Sequence, residues 1–204
     1  MHFYSHSLFG VEIGWTLDKS EIEDPCVELD QCHGVSIVEA KQGKQELADG
    51  FWTKEKNISL VIKTADCVPV FFYDQSVGII AAAHAGWRGT AKNISGIMID
   101  TLESEGCDIL DLSCVIGHSI ASCHYQVKEN VAEKFKGYKK AIIHRGNERF
   151  LDLASVNKEQ LLTKGVNASR IHILSECTYC NADMPSYRRD GEKCGTMYHF
   201  IRVK

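Results

Sequence analysis

Three residues with side chains of a metal-binding type each stand at or beside the end of an apolar run: His33 in "DQCHGV", Cys67 in "TADCVPV" and His84 in "AAAHAGWRG". Strand ends of this kind project side chains from a rigid scaffold into loops. Two imidazoles and one thiolate suit zinc, and three protein ligands leave a fourth position open, as in catalytic rather than structural zinc sites. The positions lie 34 and 17 residues apart. A local metal motif would place its ligands a few residues apart, so spacing alone does not establish convergence. Each residue also has a plain structural reading: Cys67 as a core thiol, His33 as a turn residue before Gly34, and His84 as a satisfied core histidine.

The segment after His84 suggests anion chemistry. In "AGWRGT" a glycine-rich turn leads from a strand into a helix, where unpaired N–H groups attract anions. Gly86, Arg88, Gly89 and Thr90 are therefore candidate phosphate-binding residues, with Arg88 supplying a bidentate fork. The alternative is that Trp87 packs and Arg88 pairs with a surface acid. Asp49 in "ADGFWT" is a candidate acid/base residue or a turn residue. The lone Cys177-x-x-Cys180 pair lacks the two further ligands of a zinc site, and Arg188, Arg189 and Asp190 read as an ion-pair network.

The elements that must position these residues mix strand and helix periods. Residues 34–40 and 58–74 are rich in β-branched and aromatic residues. The second run is apolar enough for a strand buried on both faces, with Pro69 interrupting its ladder. Residues 77–85 and 112–120 read as further strands. Thr90 is the expected N-cap of the helix that follows, where Ile94, Ile97, Met98 and Leu102 recur at helical spacing. Helices are expected over 125–138 and 152–166, and strands over 170–175 and 195–203. The fold class is α/β (mixed α+β), one domain over residues 1–204 with a mixed central sheet flanked by helices.

At 204 residues and 44% hydrophobic composition, the chain can bury a core of its own. A formal charge of −4 offers no basic footprint for nucleic acid or an anionic membrane. The start, "MHFYSHSLFG", lacks the pattern of a signal peptide, and no run approaches the roughly 18 apolar residues of a membrane span. A cytoplasmic location is expected. Nine cysteines, an odd number, suggest reduced thiols rather than a disulfide framework. A homo-oligomer is compatible with all of this.

"TADCVPV", "HAGWRGT" with the helix behind it, "IGHSIASCHYQV" and "CTYCNADMPSYRRDG" occur in this order. Together they resemble the YfiH-type family, known as multicopper polyphenol oxidase or laccase-domain proteins and related to purine nucleoside phosphorylase. The resemblance runs from about Gln31 to the C-terminus. It implies an α/β domain with a metal, usually zinc, on His33, Cys67 and His84. It also implies phosphorolysis of adenosine, inosine, guanosine and methylthioadenosine, together with adenosine deamination. Purine nucleoside and phosphate are then the expected partners, with Arg88 and the turn at 86–90 on phosphate and Asp49 or a histidine protonating the base. The alternatives are a copper-dependent polyphenol oxidase and a non-catalytic metal- or nucleoside-binding protein. The chain departs from the family pattern in its shorter N-terminal region, in His118 where proline is usual, and in Thr196 where arginine is common.

Overall fold

A computed structural model describes residues 6–8, 11–138 and 140–203. Most of the N-terminal stretch examined for a signal lies outside them. In chain order the elements begin with β1 (His6–Leu8), β2 (Val11–Thr16), β3 (Cys26–Glu28), β4 (Ile37–Glu39), β5 (Gly50–Thr53), β6 (Ser59–Thr64), β7 (Val68–Asp74) and β8 (Ile79–Ala85). Next come α1 (Trp87–Ala91), α2 (Ile94–Ser104), β9 (Ser113–Ile116), α3 (Glu129–Ala132), β10 (Ile142–Arg145) and β11 (Glu148–Leu151). The chain ends with α4 (Leu153–Thr163), β12 (Ile171–Ile173), α5 (Tyr187–Asp190) and β13 (Met197–Val203). No helix is long and apolar enough to cross a membrane among the described residues.

The fold is mixed α/β, as expected. A six-stranded sheet runs β12-β9-β7-β8-β5-β4, and a five-stranded sheet runs β1-β2-β13-β6-β3. The six-stranded sheet is parallel at its outer pairs and antiparallel between them. Strand alternation gives it two apolar faces. Phe71, Tyr73, Ile80 and Ala82 pack toward Ile13, Leu60, Ile62 and Ile201 of the other sheet. Val70, Phe72, Ile79, Ala81 and Ala83 pack toward Ile94, Met98 and Leu102 of α2 and Leu153, Val156 and Leu161 of α4. Helices therefore cover one face of the central sheet and a second sheet covers the other. Each large side chain buried this way contributes about 1.5–3 kcal/mol.

Four local expectations are corrected. Residues 58–74 form two strands, β6 and β7, in different sheets, because the chain crosses between the layers at Ala65–Cys67. Asp66 takes a left-handed φ of 91° at that crossing. Pro69 stands inside β7, opposite His84, and its carbonyl accepts the Gly117 N–H at 2.8 Å. Since β9 first pairs with β7 at Val70, the missing proline N–H removes no bond from that ladder.

Thr90 lies within α1, whose N-cap is Gly86, and α2 begins separately after Asn93 in the left-handed region. The Thr90 hydroxyl donates to the Ala85 carbonyl at 3.1 Å. It also accepts from Asn157, whose amide oxygen takes the Ser95 hydroxyl, while Gln160 donates to the Thr90 carbonyl at 2.7 Å. This buried network ties α1, α2 and α4 together, and removing one partner would cost about 1–3 kcal/mol of uncompensated desolvation. Only residues 129–132 of the helix expected over 125–138 are α-helical, followed by one tight turn at 133–135.

Candidate functional site

The layered sheets bring His33, Cys67 and His84 together, with their ligand atoms within 4.8 Å of one another. Cys67 sits at the crossing between the two sheets, His84 near the end of β8, and His33 in the loop between β3 and β4. The His33 and His84 rings meet edge to face, 4.8 Å between centroids. His33 has a φ of 60°, a conformation that turns the loop back over the strand ends and that histidine adopts more readily than most residues. Gly86 lies directly beneath the cluster. A Cβ there would stand 3.1 Å from Cys67 Sγ and 3.2 Å from the His33 ring.

Asp49 organises this arrangement from behind. It is 0% exposed and does not line the adjoining cavity. Its carboxylate accepts the N–H groups of His33 at 2.9 Å and Gly34 at 2.5 Å, the Cys32 thiol at 3.1 Å, and His84 Nδ1 at 2.8 Å. With Nδ1 committed to Asp49, His84 is left with Nε2 as its free ligand atom. A carboxylate behind a metal-binding histidine is a recurring means of fixing tautomer and ring orientation.

The electrostatics follow from burial and these contacts. Burial alone would raise the Asp49 carboxyl, but hydrogen bonds from His84, Cys32 and Gly34 hold it well below the usual carboxylate range. Burial would likewise raise the Cys67 thiol, yet His33 and His84 lower it to about 7. His84 is depressed by burial and raised more strongly by Asp49 and Cys67, to about 9. The site thus presents a thiolate-forming cysteine among oriented imidazoles, the donor chemistry of a soft or borderline metal.

The cluster opens into a cavity of about 530 Å³. Trp87, Tyr125 and Tyr187 give it aromatic walls, and Lys63, Arg88 and Arg188 bring positive charge. Arg88 is exposed and lies over the Trp87 ring at 4.4 Å rather than in an ion pair with a surface acid among the described residues. Arg188 lies over Tyr125 at 5.1 Å and donates to the Gln126 carbonyl at 2.8 Å. Its own backbone N–H is taken by the Asp66 carboxylate, which also accepts the Thr178 hydroxyl at 2.6 Å.

Among the residues expected at the turn, Arg88 alone presents a side chain to the cavity. Gly86 and Gly89 are buried, a Cβ on Gly89 would come within 3.0 Å of the Gly34 carbonyl, and Thr90 is 0% exposed. The helix α1 has five residues, so it supplies little dipole. Of the two single-residue departures from the family pattern, Thr196 lines the cavity, whereas His118 is buried beside Trp15 and away from it. The sequence reading missed Lys63, Tyr125, Tyr187 and the wall position of Arg188. The tyrosines within "CHY" and "SYRRD" were its available signal.

A layered mixed α/β fold with a His2Cys cluster beside a cavity is an arrangement compatible with a metal site. The chain belongs to the family described as multi-copper polyphenol oxidoreductase laccase, whose model matches residues 15–204. Among curated relatives, the purine nucleoside phosphorylase YlmD of Bacillus subtilis is 36% identical over 163 residues, 76% of this chain and 59% of that protein. A purine nucleoside phosphorylase of Deinococcus radiodurans is 33% identical over 186 residues, 87% of this chain and 70% of that one. The chain therefore spans about 59% of the length of the first of these relatives.

Solved structures agree on the fold. Bacillus licheniformis hypothetical protein YfiH superposes with a TM-score of 0.86 at 30% identity, covering 95% of this chain and 93% of that one. YlmD from Geobacillus stearothermophilus gives 0.87 at 27% identity, covering 96% and 93%.

Proposed function

We propose that this chain acts as one domain and is a metal-dependent purine nucleoside phosphorylase, its metal held by His33, Cys67 and His84. The observation that carries the reading is the convergence of these three donors at the floor of a cavity with aromatic walls and a cationic rim. The donor set fits zinc, with copper the alternative because copper(II) competes strongly at nitrogen and sulfur sites. When bound, such a metal supplies Lewis-acid polarisation and activation of water.

The chain's own residues account for the rest. Trp87, Tyr125 and Tyr187 offer flat apolar surfaces for a purine, and Arg88 with Arg188 offers two guanidinium groups for phosphate. In phosphorolysis a phosphate oxygen bonds to C1′ of the ribose and the C1′–N9 bond breaks. The electron pair passes to the base, which takes up a proton. Burial keeps the Tyr125 phenol protonated, so it is a hydrogen-bond donor for the departing base. Asp49 stays ionised and out of the cavity, so its part is to orient His33 and His84 rather than to donate a proton.

Adenosine, inosine, guanosine and methylthioadenosine are the proposed substrates, and adenosine deamination is a second proposed activity of the same site. A cytoplasmic location fits such metabolites. Zinc-loaded protein given adenosine and phosphate should release adenine and ribose 1-phosphate by chromatography. With phosphate omitted, conversion to inosine would report deamination. Absence of turnover on all four nucleosides by metal-loaded protein would refute the reading, and oxygen uptake on phenols by copper-loaded protein would replace it.

A further inference from the structure

A second set of donors, away from the first, is formed by Cys123, His124, Cys177 and Cys180, whose ligand atoms also lie within 4.8 Å of one another. None of the four lines the large cavity. Cys123 Sγ stands 3.5 Å from Cys177 Sγ and 3.6 Å from Cys180 Sγ. His124 Nδ1 is 3.2 Å from the sulfurs of both Cys123 and Cys180. All nine cysteines are free, and these sulfurs are well outside the roughly 2.05 Å of a disulfide. Four sulfurs around one zinc, each at about 2.3 Å, would sit at tetrahedron corners roughly 3.8 Å apart, close to what these thiols already show.

The surroundings resemble a prepared site. Residues 177–180 form a tight turn in which the N–H groups of Cys180 and Asn181 both bond to the Cys177 carbonyl. The Ala121 N–H points at Cys177 Sγ at 3.3 Å. The Tyr179 ring stacks on the His124 imidazole at 4.0 Å, with 15° between planes, which fixes the ring that offers Nδ1. Arg145 anchors the Cys123 carbonyl at 3.0 Å.

We infer that Cys123, His124, Cys177 and Cys180 bind a second zinc ion as a closed, four-ligand Cys3His site whose role is structural. The site joins two segments more than fifty positions apart in sequence. One carries Tyr125, and the other carries Tyr187 and Arg188, all of them walls of the cavity. Besides the four donors, the segments meet through the Thr178 N–H on the Ser119 carbonyl, Arg188 on the Gln126 carbonyl and the Tyr125 ring, and the stack of Tyr179 on His124. A zinc staple at this point holds one wall of the cavity in register with the floor.

Metal analysis of protein purified reduced and zinc-replete tests the assignment. Two zinc ions per chain are expected, falling to one in Cys180→Ser, to one in Cys67→Ala, and to none in the double variant. His124→Cys should keep two, since four thiolates also bind zinc, and this guards against a trivial folding defect. Cobalt(II) in place of zinc should give a thiolate charge-transfer band that Cys180→Ser weakens more than Cys67→Ala does. One zinc per chain in the parent, with no change on Cys180→Ser, would overturn the assignment. So would a disulfide among Cys123, Cys177 and Cys180 in peptide maps of the zinc-replete protein.

Discussion

The two donor clusters use the same kinds of side chain but are assembled by opposite routes. His33, Cys67 and His84 come from three segments far apart in sequence, meet at strand ends, and face a cavity. Cys123 and His124 are sequence neighbours, Cys177 and Cys180 share one turn, and neither pair touches that cavity. Three mostly nitrogen donors leave room for chemistry, whereas four mostly sulfur donors close the coordination sphere. The first cluster is oriented by a buried carboxylate and the second by backbone turns and a stacked ring. On the proposed roles, distance in sequence goes with catalysis and local pairing with fixation.

The sharpest way to break that contrast is Cys67→Ala. If the first cluster is catalytic, turnover should fall about 10³-fold, because metal stabilisation of developing charge is worth several kcal/mol and each 1.36 kcal/mol is tenfold. Between the metal-free proteins the melting temperature should move by only about 3 °C, since Cys67 is half-buried and adds little packing. Steady-state kinetics and calorimetry on the same preparation check both parts. Turnover kept within tenfold would remove the distinction between the clusters.

Alkylation of the metal-free protein separates the thiols themselves. Cys67 is held at about 7 by its imidazoles, so its reaction with limiting iodoacetamide should rise with pH and level off above about 7. Burial, together with Cys177 and Cys180, pushes Cys123 up to about 12, so its rate should still be climbing at pH 9. Allowing for the lower intrinsic nucleophilicity of the more acidic thiol, the rates at pH 7 should differ about 10²-fold. Peptide mapping by mass spectrometry reads both positions, and parallel pH profiles would mean the imidazoles do not activate Cys67.

Asp49→Asn tests orientation. The amide can keep one acceptor toward His33, Gly34 and His84 but sets its NH2 against the remaining donors. Metal affinity at the first cluster should drop roughly 10–100-fold, as for other groups behind a metal ligand. A chelator competition titration measures this, and the second cluster should keep its zinc. Cys180→Ser has the reverse profile. A loss of about 2 kcal/mol or more should lower the melting temperature by roughly 4–8 °C for a chain of this size, while kcat changes less than tenfold.

The two clusters also differ in how far the sequence disclosed them. The motifs around Cys67 and His84, read through the family resemblance, brought the first donor set into view, while spacing alone left it open. Nothing local marks Asp49 as a partner of His84, because that contact joins residues 35 positions apart through strand pairing. The Cys177-x-x-Cys180 turn was visible as a lone pair, but its partners lie more than fifty positions earlier, where Cys123 and His124 read as part of a strand-to-helix connection. The fold followed the same rule. Alternating strands and the α2 and α4 helices were legible from periodicity, whereas the split of residues 58–74 between two sheets was not. A run apolar on both faces is what either one buried strand or two sheet-crossing strands would show.

The smallest expected effect is the most local. Gly86→Ala adds one methyl group, and the backbone there, at φ −64° and ψ 167°, accepts any residue without strain. Space decides the outcome. The new Cβ would stand 3.1 Å from Cys67 Sγ, 3.2 Å from the His33 ring and 3.6 Å from the His84 ring, so the first two must give way by a few tenths of an ångström. A bound metal resists that movement because its ligand distances hold within about 0.2 Å. Metal-free protein can let the side chains drift apart, so the substitution should weaken metal binding several-fold while hardly changing stability without metal. Because Gly86 touches only the first cluster, the cobalt charge-transfer intensity of the second should be unchanged. A Gly86→Ala variant that binds metal as tightly as the parent would mean that the donors are not seated against the turn. One that loses both metals would mean that the two clusters are mechanically a single unit.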